Sequence, residues 1–343
     1  MDNQLSRRVF SKTMALGLGA ASVSQISAQQ PRKLVIGHTG ITWMTFGGGA
    51  ARGRGATPAG AGAAGAARGA GQGGVPFGVA GGPPVNVEQL ETIIRDISGL
   101  GYHGVELFGN AVAGMEAYGG VGKLLEKYNN LPLIAIVASP NCGDPARLKD
   151  SIQTMVDQGK VARKYGCRVV LMNASGGRRD PSFNFSEHQA NIANALNEAA
   201  KAMADLGLQA VLHQHTGTMV EKRDEVYGIM DAIDTRVVKA GFDVGQLLKG
   251  GTDPVSIVKD FLPVIEHLHL KDFNGGEHWV GYCPLGQGKV DLLAILDLVE
   301  SKGSLKGMIM VELDATGKEP LTAIETAKIA KTFLQKQGYT FRA

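Results

Sequence analysis

Eight short apolar runs alternate with eight segments of helical periodicity along most of this chain, and that alternation restricts the fold more than any other feature. The strand candidates are Lys33–His38, Gly104–Phe108, Leu133–Ala138, Arg168–Asn173, Gln209–His213, Val237–Asp243, Val264–Leu270 and Gly307–Leu313. Helical spacing marks segments near 86–100, 119–129, 145–165, 187–206, 222–233, 253–261, 291–302 and 320–337. The segment from Ser186 shows the quality of the signal: Ser186 is a capping residue, Ile192, Leu196, Ala199, Met203 and Leu206 recur at helical spacing, and Gly207 stops the run.

The apolar runs are too continuous for half-exposed antiparallel strands, so they predict a parallel sheet covered by helices. Eight such βα units predict an α/β fold, a (β/α)₈ TIM barrel in a single domain over residues 33–343. The alternative, an open doubly wound sheet, lacks the GxGxxG that a dinucleotide-binding version carries after its first strand. With 343 residues, 44% hydrophobic and 20% charged, the chain has ample core for such a domain. No stretch approaches the 18 or so uninterrupted apolar residues of a membrane span, which argues against stable membrane insertion. The net charge is +3, and +1 once residues 1–28 (Arg7, Arg8 and Lys12 against Asp2) are set aside, too little for duplex nucleic acid as the main partner. Cys142, Cys167 and Cys283 are too few for a disulfide scaffold and match no CxxC knuckle, so they are expected as small buried thiols.

Two stretches fall outside the pattern. Residues 1–28 carry paired Arg7-Arg8, Phe10, a mild apolar stretch from Thr13 to Val23, and small residues around Ser27-Ala28. That is the form of a twin-arginine export signal, which predicts a periplasmic or otherwise exported protein, folded and metal-loaded before crossing. Residues 47–84 hold Gly at 15 of 38 positions and almost no large apolar side chain, which predicts a disordered Gly/Ala-rich insertion after the first strand.

In a barrel of this kind the reacting groups project from the C-terminal strand ends. The polar residues closing the runs are His38, Glu106, Asn173, His213 with His215, Asp243, His269 with Lys271 and Asp272, and Glu312. Among these, His213, Asp243, His269 and Glu312 come from the last four strands. Two imidazoles and two carboxylates form a mixed nitrogen and oxygen shell for one divalent metal ion: Mn²⁺, Co²⁺, Zn²⁺ or Fe²⁺, with Mg²⁺ also compatible. Lys271 either polarises a substrate oxygen or pairs with Asp272, and Trp279 and Tyr282 either stack on a ring or anchor their loop.

The HLHLKD segment, the GQGKVD segment at Gly286–Asp291, GFD at Asp243 and Glu312 after MIMV resemble the xylose isomerase-like barrels of the sugar phosphate isomerase and epimerase superfamily over residues 33–340. The resemblance implies a metal held by side chains closing strands five to eight, here Asp243, His269 and Glu312. In the family's ketose epimerases, glutamates after strands five and eight also exchange the substrate proton. This sequence departs from that pattern with His213 on strand five, and with Gln246 where His is frequent. Glu312 is then the expected acid/base, with His215, Lys271 and Glu106 as candidates for a second group.

The expected activity is a metal-dependent sugar isomerase or epimerase removing a proton α to a carbonyl. The partner is a small-molecule sugar, non-phosphorylated because sugar phosphates are scarce outside the cytoplasm. One alternative is a lyase, dehydratase or hydrolase on a 3-keto-glycoside or keto-inositol, supported by His213. Another is an exported carbohydrate-binding protein without turnover. Oligomeric state is not readable from the sequence.

Overall fold

The computed structural model describes residues 32–44, 86–177, 179–314 and 318–343. The residues 1–28 read as an export signal, the whole Gly-rich segment 47–84 and Arg178 lie outside them. Ten strands occur among the described residues: β1 (Ile36–Thr39), β2 (Val105–Phe108), β3 (Leu133–Val137), β4 (Val169–Met172), β5 (Gln209–Leu212), β6 (Val238–Ala240), β7 (Leu268–Leu270), β8 (Asp272–Phe273), β9 (Tyr282–Cys283) and β10 (Ile309–Val311). Eight pair in parallel in the order β6-β5-β4-β3-β2-β1-β10-β7, while β8 and β9 form a small antiparallel ladder above β7. The two outer strands of that order, β6 and β7, are joined by two single parallel bridges, Ala240 to Ile265 and Asp243 to His269. The predicted (β/α)₈ barrel is therefore present and nearly closed.

Ten α-helices cover it: α1 (Val87–Gly99), α2 (Gly109–Gly114), α3 (Gly122–Lys127), α4 (Pro145–Lys164), α5 (Phe185–Asp205), α6 (Arg223–Ala232), α7 (Val244–Lys249), α8 (Pro254–Phe261), α9 (Leu292–Lys302) and α10 (Ala323–Lys336). In α5 the expected core row is buried, with Ile192, Leu196, Ala199 and Met203 at zero exposure. The cap differs from expectation: Asn184 accepts from Ser186 N and the helix begins at Phe185, because Asn184 already has the extended backbone an N-cap needs.

Strand side chains alternate between two cores. Val170, Met172, Leu212, Leu268, Leu270 and Ile309 face the helices. Val169, Leu171, Val211, Met308 and Met310 fill the barrel interior. Continuing each inward row by two residues leads from Leu171 to Asn173, from Val211 to His213 and from Met310 to Glu312. Hydrophobic packing at the floor thus decides which polar side chains reach the upper chamber. All three cysteines are buried free thiols, and burial pushes each up to about 12.

Candidate active site

The inward rows gather Glu106, Asn173, His213, Asp243, His269, Lys271 and Glu312, each at most 4% exposed. Asp243 also caps α7, its Oδ1 accepting from Gln246 N at 2.9 Å. His269 sits centrally, with Nε2 2.9 Å from Glu106 Oε1 and Nδ1 2.9 Å from Glu312 Oε2. Neither contact has the alignment of a hydrogen bond. The His213 ring lies 4.5 Å from that of His269, and its Nδ1 donates to Gly241 O at 2.9 Å, leaving Nε2 with a lone pair.

Charge is strongly unbalanced in this chamber. Lys271 Nζ lies 2.9 Å from Asp243 Oδ2, 2.6 Å from Glu312 Oε1 and 3.1 Å from Asp314 Oδ2, over the face of Tyr282. With Glu106, four buried carboxylates face one ammonium and the imidazolium they favour on His269, an excess of two negative charges that burial penalises. The other titratable groups respond accordingly. Burial works against a charged His269, but Glu106 and Glu312 overcome it and raise its pKa well above the ordinary value. Burial and then the charge of His269 lower His213 to about 3. For Glu106, burial acts upward but is outweighed by His269 and His267, giving about 2. Glu312 follows the same logic: burial opposes its charge, while His269 and Lys271 hold it well below the usual carboxylate range.

One ligand atom each from His213, Asp243 and His269 lie within 4.8 Å of one another, and Glu106, His267 and His269 form a second such group around the same imidazole. Asp243 Oδ2 and both nitrogens of His269 are buried without an aligned hydrogen bond. A divalent cation would displace the proton that the carboxylates hold on His269 and relieve the negative excess, and a two-imidazole, one-carboxylate set leaves room for substrate oxygen. Glu312 stands beside this set, joined to it through His269 and Lys271.

The profile of a xylose isomerase-like TIM barrel matches residues 94–336. The chain belongs to that family. It is 30% identical over 151 residues to an inosose dehydratase of Clostridium botulinum (strain Alaska E43 / Type E3), covering 39% of this chain and 50% of that protein. It is 32% identical over 135 residues to an inosose dehydratase of Bacillus thuringiensis (strain Al Hakam), covering 36% and 45%. The chain thus spans about half the length of the curated relatives it matches. Among solved structures, the probable 3-DHS dehydratase AsbF from Bacillus anthracis superposes with a TM-score of 0.60 at 17% identity, covering 71% of this chain and 92% of that one. The IOLI protein with a bound zinc atom superposes with a TM-score of 0.58 at 17% identity, covering 74% and 94%. At such identities the likeness is one of fold.

Within this xylose isomerase-like barrel, several sequence expectations change. Lys271 does not pair with Asp272, because neighbours on an extended chain point to opposite sides. Asp272 instead accepts from the backbone N–H of Phe273, Gly286, Gly288 and Val290, at 2.8–3.2 Å, and so fastens the GQGKVD loop. A Cβ at Gly288 would lie 2.1 Å from Asp272 Oδ1, which explains a glycine there. His215 is brought near the chamber, yet its Nδ1 donates to Thr216 O and its Nε2 accepts from Gln246 Nε2 at 2.7 Å. Both nitrogens are engaged in positioning the loop. His38 faces the outer layer, edge-on to Trp43 and Tyr102. Trp279 and Tyr282 anchor their loop, packing with Leu313.

Two residues of the site were missed in the sequence. His267 donates through Nε2 to Glu106 Oε2 at 2.9 Å, its Nδ1 accepting from Met308 N. Asp314 is the third carboxylate around Lys271. The period-two rows His267, His269, Lys271 and Met310, Glu312, Asp314 carried the signal.

Proposed function

We propose that the chain is a metal-dependent lyase that eliminates water from a keto-inositol or a related cyclic polyol ketone, in preference to the isomerase or epimerase reading. The carrying observation is His213 just past the end of β5, three strands round the barrel from Glu312, where a second proton-exchanging carboxylate would have to stand for epimerisation. Its Nδ1 is committed to Gly241 O. Glu106 offers no substitute, because His267 and His269 hold its two oxygens. Chemistry from one face suits elimination. The name shared by the curated relatives, inosose dehydratase, supports the same reading.

His213, Asp243 and His269 would hold the ion, which when bound acts as a Lewis acid on the substrate carbonyl and contributes several kcal/mol to stabilising developing charge. Glu312, kept ionised by the Lys271 ammonium 2.6 Å away, takes the proton from the carbon α to that carbonyl. The electron pair of the broken C–H bond forms the C=C bond as the β C–O bond breaks. Glu312 then returns its proton to the departing hydroxide on the same face, so water leaves and the carboxylate is restored. Glu106 and His267 keep the His269 ring in place throughout.

The test is to incubate metal-loaded protein with a keto-inositol and a 3-keto-glucoside in D₂O, following products by NMR and enone absorbance. An unsaturated ketone is expected. A stereochemical change with every C–O bond intact would restore the epimerase reading.

A further inference from the structure

The recess above the candidate metal set has two unlike walls. One is polar: Glu106, Asn173, His213, His269 and Glu312. The other comes from the first three βα units and is lined by Ile41, Met44, Leu90, Ile93, Phe108 and Val137, with Ala111 of α2 beside them. Together they line a recess that opens to solvent at its mouth. On the polar side, both amide atoms of Asn173 and the hydroxyl of Thr39 are buried without a hydrogen-bond partner among the described residues. Native structures rarely leave such groups unmade, since each costs about 1–3 kcal/mol, so they point to a ligand that both donates and accepts.

Uniformly hydroxylated rings suit only half of this recess. A sugar or inositol filling it would press hydroxyls against the apolar wall, where no side chain among the described residues can satisfy them. An apolar group there gains contact with aliphatic side chains and leaves its hydroxylated part to Asn173, Thr39 and the metal set.

Resting on the lyase reading above, we infer that the substrate is a keto-sugar carrying an apolar substituent, such as the aglycone of an aryl glycoside. Its oxygens lie toward Asn173 and its aglycone against Ile41 and Ile93. The leaving group of the elimination then differs from that of a free keto-inositol, because the aglycone oxygen itself becomes the group expelled when it stands β to the ketone.

The test is equilibrium binding by calorimetry of methyl and phenyl β-D-glucosides, which lack the ketone and cannot react, to the metal-loaded full chain. Phenyl glucoside is expected to bind about tenfold tighter than methyl. Ala111→Leu, which fills the apolar side, is expected to bring the two within about twofold, and Met44→Ala to weaken phenyl binding while sparing methyl. Equal affinities in the wild type, or a phenyl preference that survives A111L, would overturn the inference. Elimination from keto-inositol without a phenyl preference would leave the lyase reading standing and remove this one. Phenyl preference without any elimination would do the reverse.

Discussion

Lys271 Nζ and Glu312 Oε1 meet at 2.6 Å in a chamber where neither side chain reaches solvent appreciably, and Asp243 and Asp314 share the same ammonium. Removing that ammonium strands three carboxylates in low dielectric. Lys271→Met is expected to cost about 3–5 kcal/mol of folding stability, measured by urea unfolding of metal-free protein. A loss below about 1 kcal/mol would show that the carboxylates had simply taken up protons. Added divalent ion is expected to recover part of the loss.

Glu312 and His213 are expected to separate metal binding from proton transfer. Glu312→Gln keeps an oxygen donor but no base, so elemental analysis is expected to find most of the metal and kinetics a fall of about 10²–10⁴ in turnover. His213→Ala removes a member of the three-atom group and is expected to lose most of the metal. Undiminished metal in H213A would discredit that group.

His267 does not itself line the recess, yet it holds Glu106 and through it His269. A His267→Leu variant is expected to lower metal affinity about 10–100-fold in competition with a chelator, with His267→Gln recovering part of it through a new N–H donor. Unchanged affinity in H267L would reduce His267 to core packing.

Asp272 and Gly288 provide a stability test remote from the chemistry. Gly288→Ala places a methyl 2.1 Å from the Asp272 carboxylate, so the loop must shift and give up its backbone hydrogen bonds. Faster proteolysis or hydrogen exchange at residues 286–290 is expected, with a stability loss of about 1–3 kcal/mol.

Glu225 gives a pH dependence away from the metal candidates. Burial alone would raise its pKa, but Arg179 at 2.5 Å and the N–H groups of Lys222 and Glu221 outweigh it and lower it below the ordinary value. A depressed folded pKa means stability present above the unfolded value near ~4.3 and lost as pH falls through the folded one. Glu225→Gln is therefore expected to be less stable than wild type at pH 7, with the difference shrinking below about pH 4. A difference that is constant with pH would assign the effect to packing.

The eight cycles were legible because strands of a parallel barrel bury both faces and read as unbroken apolar runs. Their ends were less so. The seventh run, Val264–Leu270, is strand only over Leu268–Leu270, its first residue belonging to a 3₁₀ turn at Leu262–Val264. The six-residue helix α7 was hidden because so short a segment has no periodicity to show. In the site, Glu106, His213, Asp243, His269, Lys271 and Glu312 were found by their positions at run ends. His267 lies one turn of the pleat below such an end and Asp314 one above, so only the inward parity identifies them. Of the two roles open to Lys271, pairing with Asp272 is ruled out because sequence adjacency on a strand separates side chains instead of joining them.

The barrel's seam has a mechanical consequence. Elsewhere neighbouring strands are joined by ladders of paired residues, but β6 and β7 are tacked together at two isolated bridges, one of them between Asp243 and His269. A cation shared by those two side chains would act as a rivet across a joint otherwise made by isolated bridges. Loading and wall rigidity become a single event, with the occupied form resisting heat by the free energy of binding.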